Sequence, residues 1–364
     1  MRFDVRRRCG KSAQWLTVGL VCLAVLTVPL QSFAQAPKVH RLGGGRYMTE
    51  TVNRLPGAGL KGLHITGPAN LGGQVVITAA PGDSVRVQIA RVLKTESIEA
   101  AIIFAQEITT RLEPDGNVLR FDIKTPTNAP WEGTDWSARC DVTIVIPKGW
   151  DLTIKAHHFD YDLIGPFRTA VVSTEYGRIN LEDVSEKTDV GGTHTPMELT
   201  NLRGEITAHT SYAKLEARGI IASAEKAAVF GNQYGAIVIE ELAGAVLVKS
   251  EYAPLTLTDA VLVGSASRLI GEGSHFRVTI DEFADAQLQI QNSNADVLIS
   301  VPQELSARLN LAVGRGGTIH TKNVEIQTRS GLLGRGRLEG VCGSGRGIID
   351  IEISGAGTID FRGD

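Results

Sequence analysis

The chain of 364 residues carries 37 Lys and Arg against 40 Asp and Glu, a formal charge of −3, and is 43% hydrophobic but only 5% aromatic. Forty glycines beside so few aromatic residues suit many short strands and tight turns better than a helical bundle. The slightly acidic balance disfavours nucleic acid as a partner, because phosphate backbones are held by an excess of Lys and Arg.

Residues 1–34 read as a signal peptide. Arg2, Arg6, Arg7, Arg8 and Lys11 form a basic start, Trp15 to Leu30 is apolar, and small residues follow at Ser32 and Ala34. The expectation is an exported protein of the periplasm, the cell surface or the medium. No later apolar run approaches the ~20 residues of a membrane-spanning helix, so no transmembrane segment is expected after cleavage. Cys140 and Cys342 are the cysteines left beyond the leader. An exported compartment allows them to pair, and two isolated buried thiols are the other reading.

Residues 35–60, with Gly43-Gly44-Gly45, read as a linker. Residues 61–148 read as a small N-terminal antiparallel β region that caps the longer C-terminal part of the chain. Val75-Val76-Ile77 and Val85-Arg86-Val87 flank the turn Pro81-Gly82-Asp83 and suggest a hairpin. Ile98, Ile102, Ala105 and Ile108 recur at helical spacing behind a capping Ser97. A second hairpin is expected around Pro114-Asp115-Gly116-Asn117, then a strand through Val142, Ile144 and Ile146.

From residue 149 to 364 the sequence repeats. One inward column reads Ala170, Thr188, Ile206, Ala228, Val246, Leu269 and Leu288, and a second reads Ile179, Met197, Leu215, Ile237, Leu255, Val278 and Val297. Apolar alternation within units too short to close a core alone requires neighbouring units to stack. A third inward position three residues beyond each second strand gives three faces per coil. The expected fold is all-β, a right-handed parallel β-helix, since parallel crossovers within a sheet are almost always right-handed.

The order of these features, with the turn Val145-Ile146-Pro147-Lys148-Gly149, the rung Glu175-Tyr176-Gly177-Arg178-Ile179-Asn180-Leu181 and the terminal Ser354-Gly355-Ala356-Gly357-Thr358-Ile359, resembles the bacterial putative-adhesin family, a domain of unknown function. The resemblance spans roughly residues 60–362 by motif order. It implies a β-solenoid with an adhesin-like role, and it supplies no catalytic residues to carry over. Where the family usually has Asn-Gly or Ser-Gly, this chain places Tyr-Gly, Tyr-Ala and His.

That departure forms a column: His158, Tyr176, His194, Tyr212, Tyr234, Tyr252, His275 and Asn294. Tyr176, Tyr212, Tyr234 and Tyr252 are the candidate ligand-binding residues, as a strip for a glycan or peptide. The other reading is a ring ladder that holds successive turns together. Glu241, Asp259 and Glu282 are weak candidates for a shared Ca²⁺, against the alternative of a solvated acidic edge. His157, His158, Asp160 and Asp162 are the densest metal-capable cluster, though alternation sends His157 to the opposite face. No cofactor is expected, and no nucleophile constellation or phosphate-binding loop is present in the sequence.

The functional expectation is an exported, non-enzymatic, adhesin-like β-solenoid that binds or scaffolds in the cell envelope or outside it, its partner a glycan or an envelope protein. Two alternatives accompany it: a carbohydrate-active β-helix enzyme, lyase or hydrolase, using the acids between residues 241 and 282, and a periplasmic partner of a membrane signalling protein.

Overall fold

The computed structural model describes residues 38–331 and 336–364; the leader expected over residues 1–34 lies outside them. The described residues form 27 strands and one helix, joined in a single hydrogen-bonded sheet system. No helix among them is long and apolar enough to cross a membrane.

The repeat folds into two parallel ladders between which the chain alternates. In the first, residues 169–175 of Phe159–Glu175 pair with 187–193 of Ile179–Thr193, and the ladder runs on through Met197–Ser211, Ala228–Gln233, Val246–Glu251, Ala266–Glu272 and Gln287–Ser293. In the second, Tyr161, Ile179, Met197, Leu215, Ile237, Leu255, Phe276 and Val297 lie in register one above another. Inward positions are almost all apolar and fully buried, Leu199, Ile239, Leu257 and Ile299 among them. Each such side chain contributes about 1.5–3 kcal/mol before chain entropy is counted.

The expected columns hold except at one rung, where they are off by two residues, and return at Leu288 and Val297. Val246 stacks on Ser267, not Leu269, and Leu255 stacks on Phe276, not Val278. Ser267 is buried, and its hydroxyl accepts from the Val246 amide at 3.1 Å. A polar residue at an inward position hides the true step, and the apolar pattern jumps to the next inward site.

Several N-terminal expectations need correction. The segment expected as a linker forms the strands Val39–Gly43 and Arg46–Pro56, the latter antiparallel to Ser84–Lys94. Gly73–Ala80 and Ser84–Lys94 are not a hairpin, since Ser137–Pro147 lies between them, parallel to the first and antiparallel to the second. The region is also not simply antiparallel. Gly62–Thr66 continues the first ladder and Gly73–Ala80 the second, each in parallel pairing with the coil. The hairpin Thr109–Asp115 with Val118–Lys124 forms as expected.

Ser97 caps the helix Ile98–Glu107, its hydroxyl accepting from the Ala100 amide at 3.2 Å. The buried face is Ala101, Phe104, Ala105 and Ile108, with Ile98 and Ile102 turned outward. Phe104 against Trp131, ring centroids 5.7 Å apart, fixes that rotation.

Beyond Val301 the chain order and the stacking order part company. Gly347–Ser354 and Thr358–Gly363 stack directly on Gln287–Ser293 and Val297–Val301, while the earlier strands Ala307–Val313 and Thr318–Lys322 form the next layer out. The final rung is thus inserted between two that precede it in sequence. Cys140 and Cys342 are both buried free thiols.

Candidate functional site

The site is built where the first ladder turns into the second. The corner residues His158, Tyr176, His194, Tyr212, Tyr234 and Tyr252 all have left-handed backbone, with φ between 54° and 65°. Two residues earlier in each of two neighbouring corners an inward polar side chain closes the turn. Asn232 Nδ2 donates to the Ala213 carbonyl at 2.7 Å and Ser250 Oγ to the Ala253 carbonyl at 2.8 Å. Buried polar groups bound to corner carbonyls satisfy backbone that no ladder can reach.

The six corner rings stack face to face, with centroids 5.2, 5.0, 4.8, 5.1 and 5.4 Å apart and planes within 16° of parallel. The four candidate tyrosines are therefore brought together, each at least half exposed. What they expose is ring edges, because both faces of every interior ring are covered by neighbours. His275 does not belong to the column. The corner after Tyr252 is Gly273, whose amide donates to the Ser293 carbonyl as Tyr252's does to Glu272. Gly273 carries the required left-handed φ of 57° with no side chain to reveal it in the sequence.

A second left-handed column, Asp183, Asn201, Gly219, Glu241 and Asp259, follows each second-ladder strand. It explains most of the polar residues seen there in the sequence, since Asp, Asn and Gly tolerate this backbone. Glu282 is not a member, since it pairs with Val261. Glu241 accepts from Arg218 at 2.7 Å, and this hydrogen bond holds its carboxyl below the usual carboxylate range. The three acids are not brought to one point, and no metal-holding group of three His, Cys, Asp or Glu occurs among the described residues. The His157 cluster is likewise dispersed. His157 faces Glu175 at 3.5 Å, Asp160 accepts from the Arg178 amide at 3.0 Å, and Asp162 accepts from Gln74 and Asn180, each at 2.7 Å.

The feature that sequence reasoning missed is the outward face of the second ladder beside the rings. Asp162, Asn180, Glu198, Glu216, Val238, Thr256, Arg277 and Leu298 occupy one outward column in continuous register. Three hollows succeed one another along it. The first, of about 390 Å³, lies over Asp162, Asn180 and Glu198; the second, of about 200 Å³, over Glu198, Glu216 and Val238; the third, of about 290 Å³, over Thr256, Arg277 and Leu298. The first two share Glu198 and Thr200, and Val238 of the second pairs with Thr256 of the third. Inward apolar columns give the strongest signal in the sequence, and outward residues of mixed chemistry give none. The groove carries carboxylates and Asn180 toward one end and Thr256 and Arg277 toward the other, with Val238 between them.

No family model matches the chain, and no curated protein does. Solved structures with a similar arrangement include a putative cell adhesion protein from Clostridium sporogenes ATCC 15579, 9% identical over 87% of this chain and 100% of its own, with a TM-score of 0.22. A putative adhesin from Parabacteroides distasonis ATCC 8503 is 8% identical over 86% of this chain and 97% of its own, TM-score 0.31. One from Parabacteroides merdae ATCC 43184 is 8% identical over 86% and 95%, TM-score 0.25. These structural neighbours are bacterial, and their names are all that links them to adhesion.

Proposed function

We propose that this chain is an exported, adhesin-like binding module: a right-handed parallel β-helix that lays an extended ligand along the outward face of its second ladder. The observation that carries this reading is the groove. Three consecutive hollows share one register column, so a linear polymer meets one continuous face, as on solenoid binding faces. Acceptors and donors along one face suit a polyhydroxylated chain, and the carboxylates at one end repel a phosphate backbone.

Binding is favoured over cleavage by the acids between residues 241 and 282 because of the state of Glu241. A glycosidase needs one carboxyl raised above its ordinary value to donate a proton, with a partner at fixed separation. Glu241 is held in the opposite direction by Arg218. As an enzyme, the protein would lose turnover on Asp259→Ala without losing its fold; as a binding module it keeps whatever affinity it has.

The test is binding of the purified protein to an array of linear glycans, wild type beside Thr256→Trp, which fills the third hollow from a partly buried outward position. Affinity for a glycan that falls at least tenfold in a variant of unchanged melting temperature supports the reading. Equal binding by both proteins removes the groove from it.

A further inference from the structure

The N-terminal strands carry a hollow of about 340 Å³ that is not part of the groove, lined by Arg46, Val92, Lys94, Ser137, Arg139 and Asp141. Register places these residues. Arg46 pairs with Lys94 and Lys94 with Ser137 across three strands, and two residues further along Met48, Val92 and Arg139 form the next row. Strand alternation puts both rows on one face, so Val92 is the floor and the longer polar side chains are the rim.

The charges on that rim do not balance. Directly opposed residues of an antiparallel pair hold their Cβ atoms about 5 Å apart, and like charges placed there repel. Arg46 and Lys94 are such a pair, both exposed. Neither has an ion pair or a side-chain hydrogen bond among the described residues. Glu50, the acid further along the same face of Arg46–Pro56, accepts from Gln88 instead, at 2.5 Å. Arg139 Nε donates to Asp141 at 2.7 Å, and the same carboxylate oxygen accepts from the Gln74 amide at 3.0 Å. Three cations and one carboxylate therefore leave two positive charges over the hollow.

Elsewhere on the surface outward cations bring an acid with them, as Lys249 does with Glu251 at 2.6 Å and Lys226 with Glu205 at 2.8 Å. Arg54 and Arg86 are opposed on the same strands as Arg46 and Lys94, but neither lines this hollow, and the neighbour across Arg86 is Val145. Opposed cations and a hollow coincide at Arg46 and Lys94.

We propose that this hollow binds a phosphate monoester. Such a group carries about −1.5 to −2 charges at neutral pH and matches the two unbalanced cations, where a carboxylate supplies only one charge. Arg46 and Lys94 give charge-assisted hydrogen bonds from neighbouring strands, Ser137 gives a hydroxyl, and Arg139 gives the guanidinium nitrogens that Asp141 leaves free. Val92 meets the apolar part of whatever bears the phosphate. The volume falls at the small end of the roughly 300–1,000 Å³ of small-molecule pockets, which suits a phosphate with a compact group attached. Ser137 lies about 20 Å along its strand from Thr143, whose partner Val76 lines the first hollow of the groove. Glu198 and Glu216 are several strands beyond, past the ~10 Å over which salt screens exposed charges. The site therefore stands whether or not the groove binds a glycan.

Isothermal titration calorimetry at constant ionic strength tests it. The probes are inorganic phosphate, glucose 6-phosphate, acetate, and phosphatidylcholine vesicles with and without phosphatidic acid. The proteins are wild type, the double variant Arg46→Gln/Lys94→Gln, and Arg54→Gln, which removes a charge from the same strand away from the hollow. The expected result is a dissociation constant of about 1 mM or below for inorganic phosphate or glucose 6-phosphate, weakened at least tenfold in the double variant and unchanged in Arg54→Gln. The double variant is expected to melt at or above the wild-type temperature, because its opposed charges are gone. Binding only to the vesicles that contain phosphatidic acid, lost in the double variant, supports the site with a lipid headgroup as the source of the phosphate. Undiminished phosphate binding by the double variant, or an equal loss in Arg54→Gln, overturns the site. Acetate binding as tight as that of phosphate overturns the choice of a dianion, and a wild type that binds none of the phosphate probes overturns the proposal as a whole.

Discussion

A tyrosine with φ near +60° is a residue in the wrong conformation, at a cost of about 1–2 kcal/mol. Six consecutive corners accept that cost, and the ring stack explains why. Each interior ring gains two stacked contacts, worth about 0.5–1.5 kcal/mol apiece beyond the area they bury, which offsets the strain. The two terms separate by mutation. Tyr212→Gly loses the stack on both sides but relieves the backbone, whereas Tyr212→Ala loses the stack and keeps the strain. Urea denaturation is expected to find Tyr212→Ala the less stable of the two by about 1 kcal/mol, because alanine gains nothing at positive φ. Equal stabilities, or the reverse order, would remove strain from the account.

The two thiols make a second prediction at this scale. Burial raises the Cys140 thiol to about 12, against the pull of Arg91, and raises Cys342 to about 11. Both values are raised, so the reactive thiolate is scarce in the native state at about pH 8, where an unfolded cysteine near 8.5 is substantially ionised. Alkylation by iodoacetamide at that pH is expected to track the unfolding transition in urea. Complete labelling of the native protein within minutes would contradict the buried placement of both.

At the scale of the rung, stability comes from apolar side chains stacked in register. Leu257 is fully buried between Ile239 and Val278. Leu257→Ala is expected to cost about 2–5 kcal/mol, and Leu257→Asp to prevent this part of the coil from forming, because an unpaired buried carboxylate has no partner on either neighbouring rung. Circular dichroism melts of the two variants check this, and an unchanged melt for Leu257→Asp would show that the register is wrong.

The same chemistry explains how much of the rung is legible in the sequence. Columns of Ile, Leu and Val are readable wherever the inward residue is apolar. The register slips where Ser267 turns inward, and the ring column misleads where His275 has the spacing of the next ring but Gly273 holds the corner. The helix face is misjudged for a related reason. Ile98 and Ile102 fit the spacing, but Phe104 with Trp131 packs better, and contacts between distant segments are invisible to periodicity. The ring ladder shows in the sequence as a column, yet its covered faces and the groove beside it depend on which strands stack, and spacing alone does not supply that.

For the whole molecule, the notable feature is the inserted last rung. Residues 347–363 separate two rungs that come earlier in the chain, so until the last strands arrive Ala307–Val313 has its antiparallel pairing with Arg337–Cys342 but Thr318–Lys322 lacks its ladder partner. Removing residues 347–364 is expected to abolish amide protection over residues 318–322 while leaving that of residues 179–263 close to wild type. The open strand edges exposed at residues 287–301 should also promote association between molecules. Hydrogen exchange and sedimentation velocity read both effects, and full protection of residues 318–322 in the truncated protein would contradict the stacking order.

The same two ladders that give the molecule its core give it one long outward face, and the central claim is that this face is where a linear glycan lies. Hydroxyl-radical footprinting of the protein with and without its best array ligand tests that claim most directly. The account expects protection at Glu198, Val238, Thr256, Arg277 and Leu298 together, with the outward residues of the first ladder, such as His209 and Lys249, unchanged. Protection confined to the first ladder, or none on the second, would contradict it.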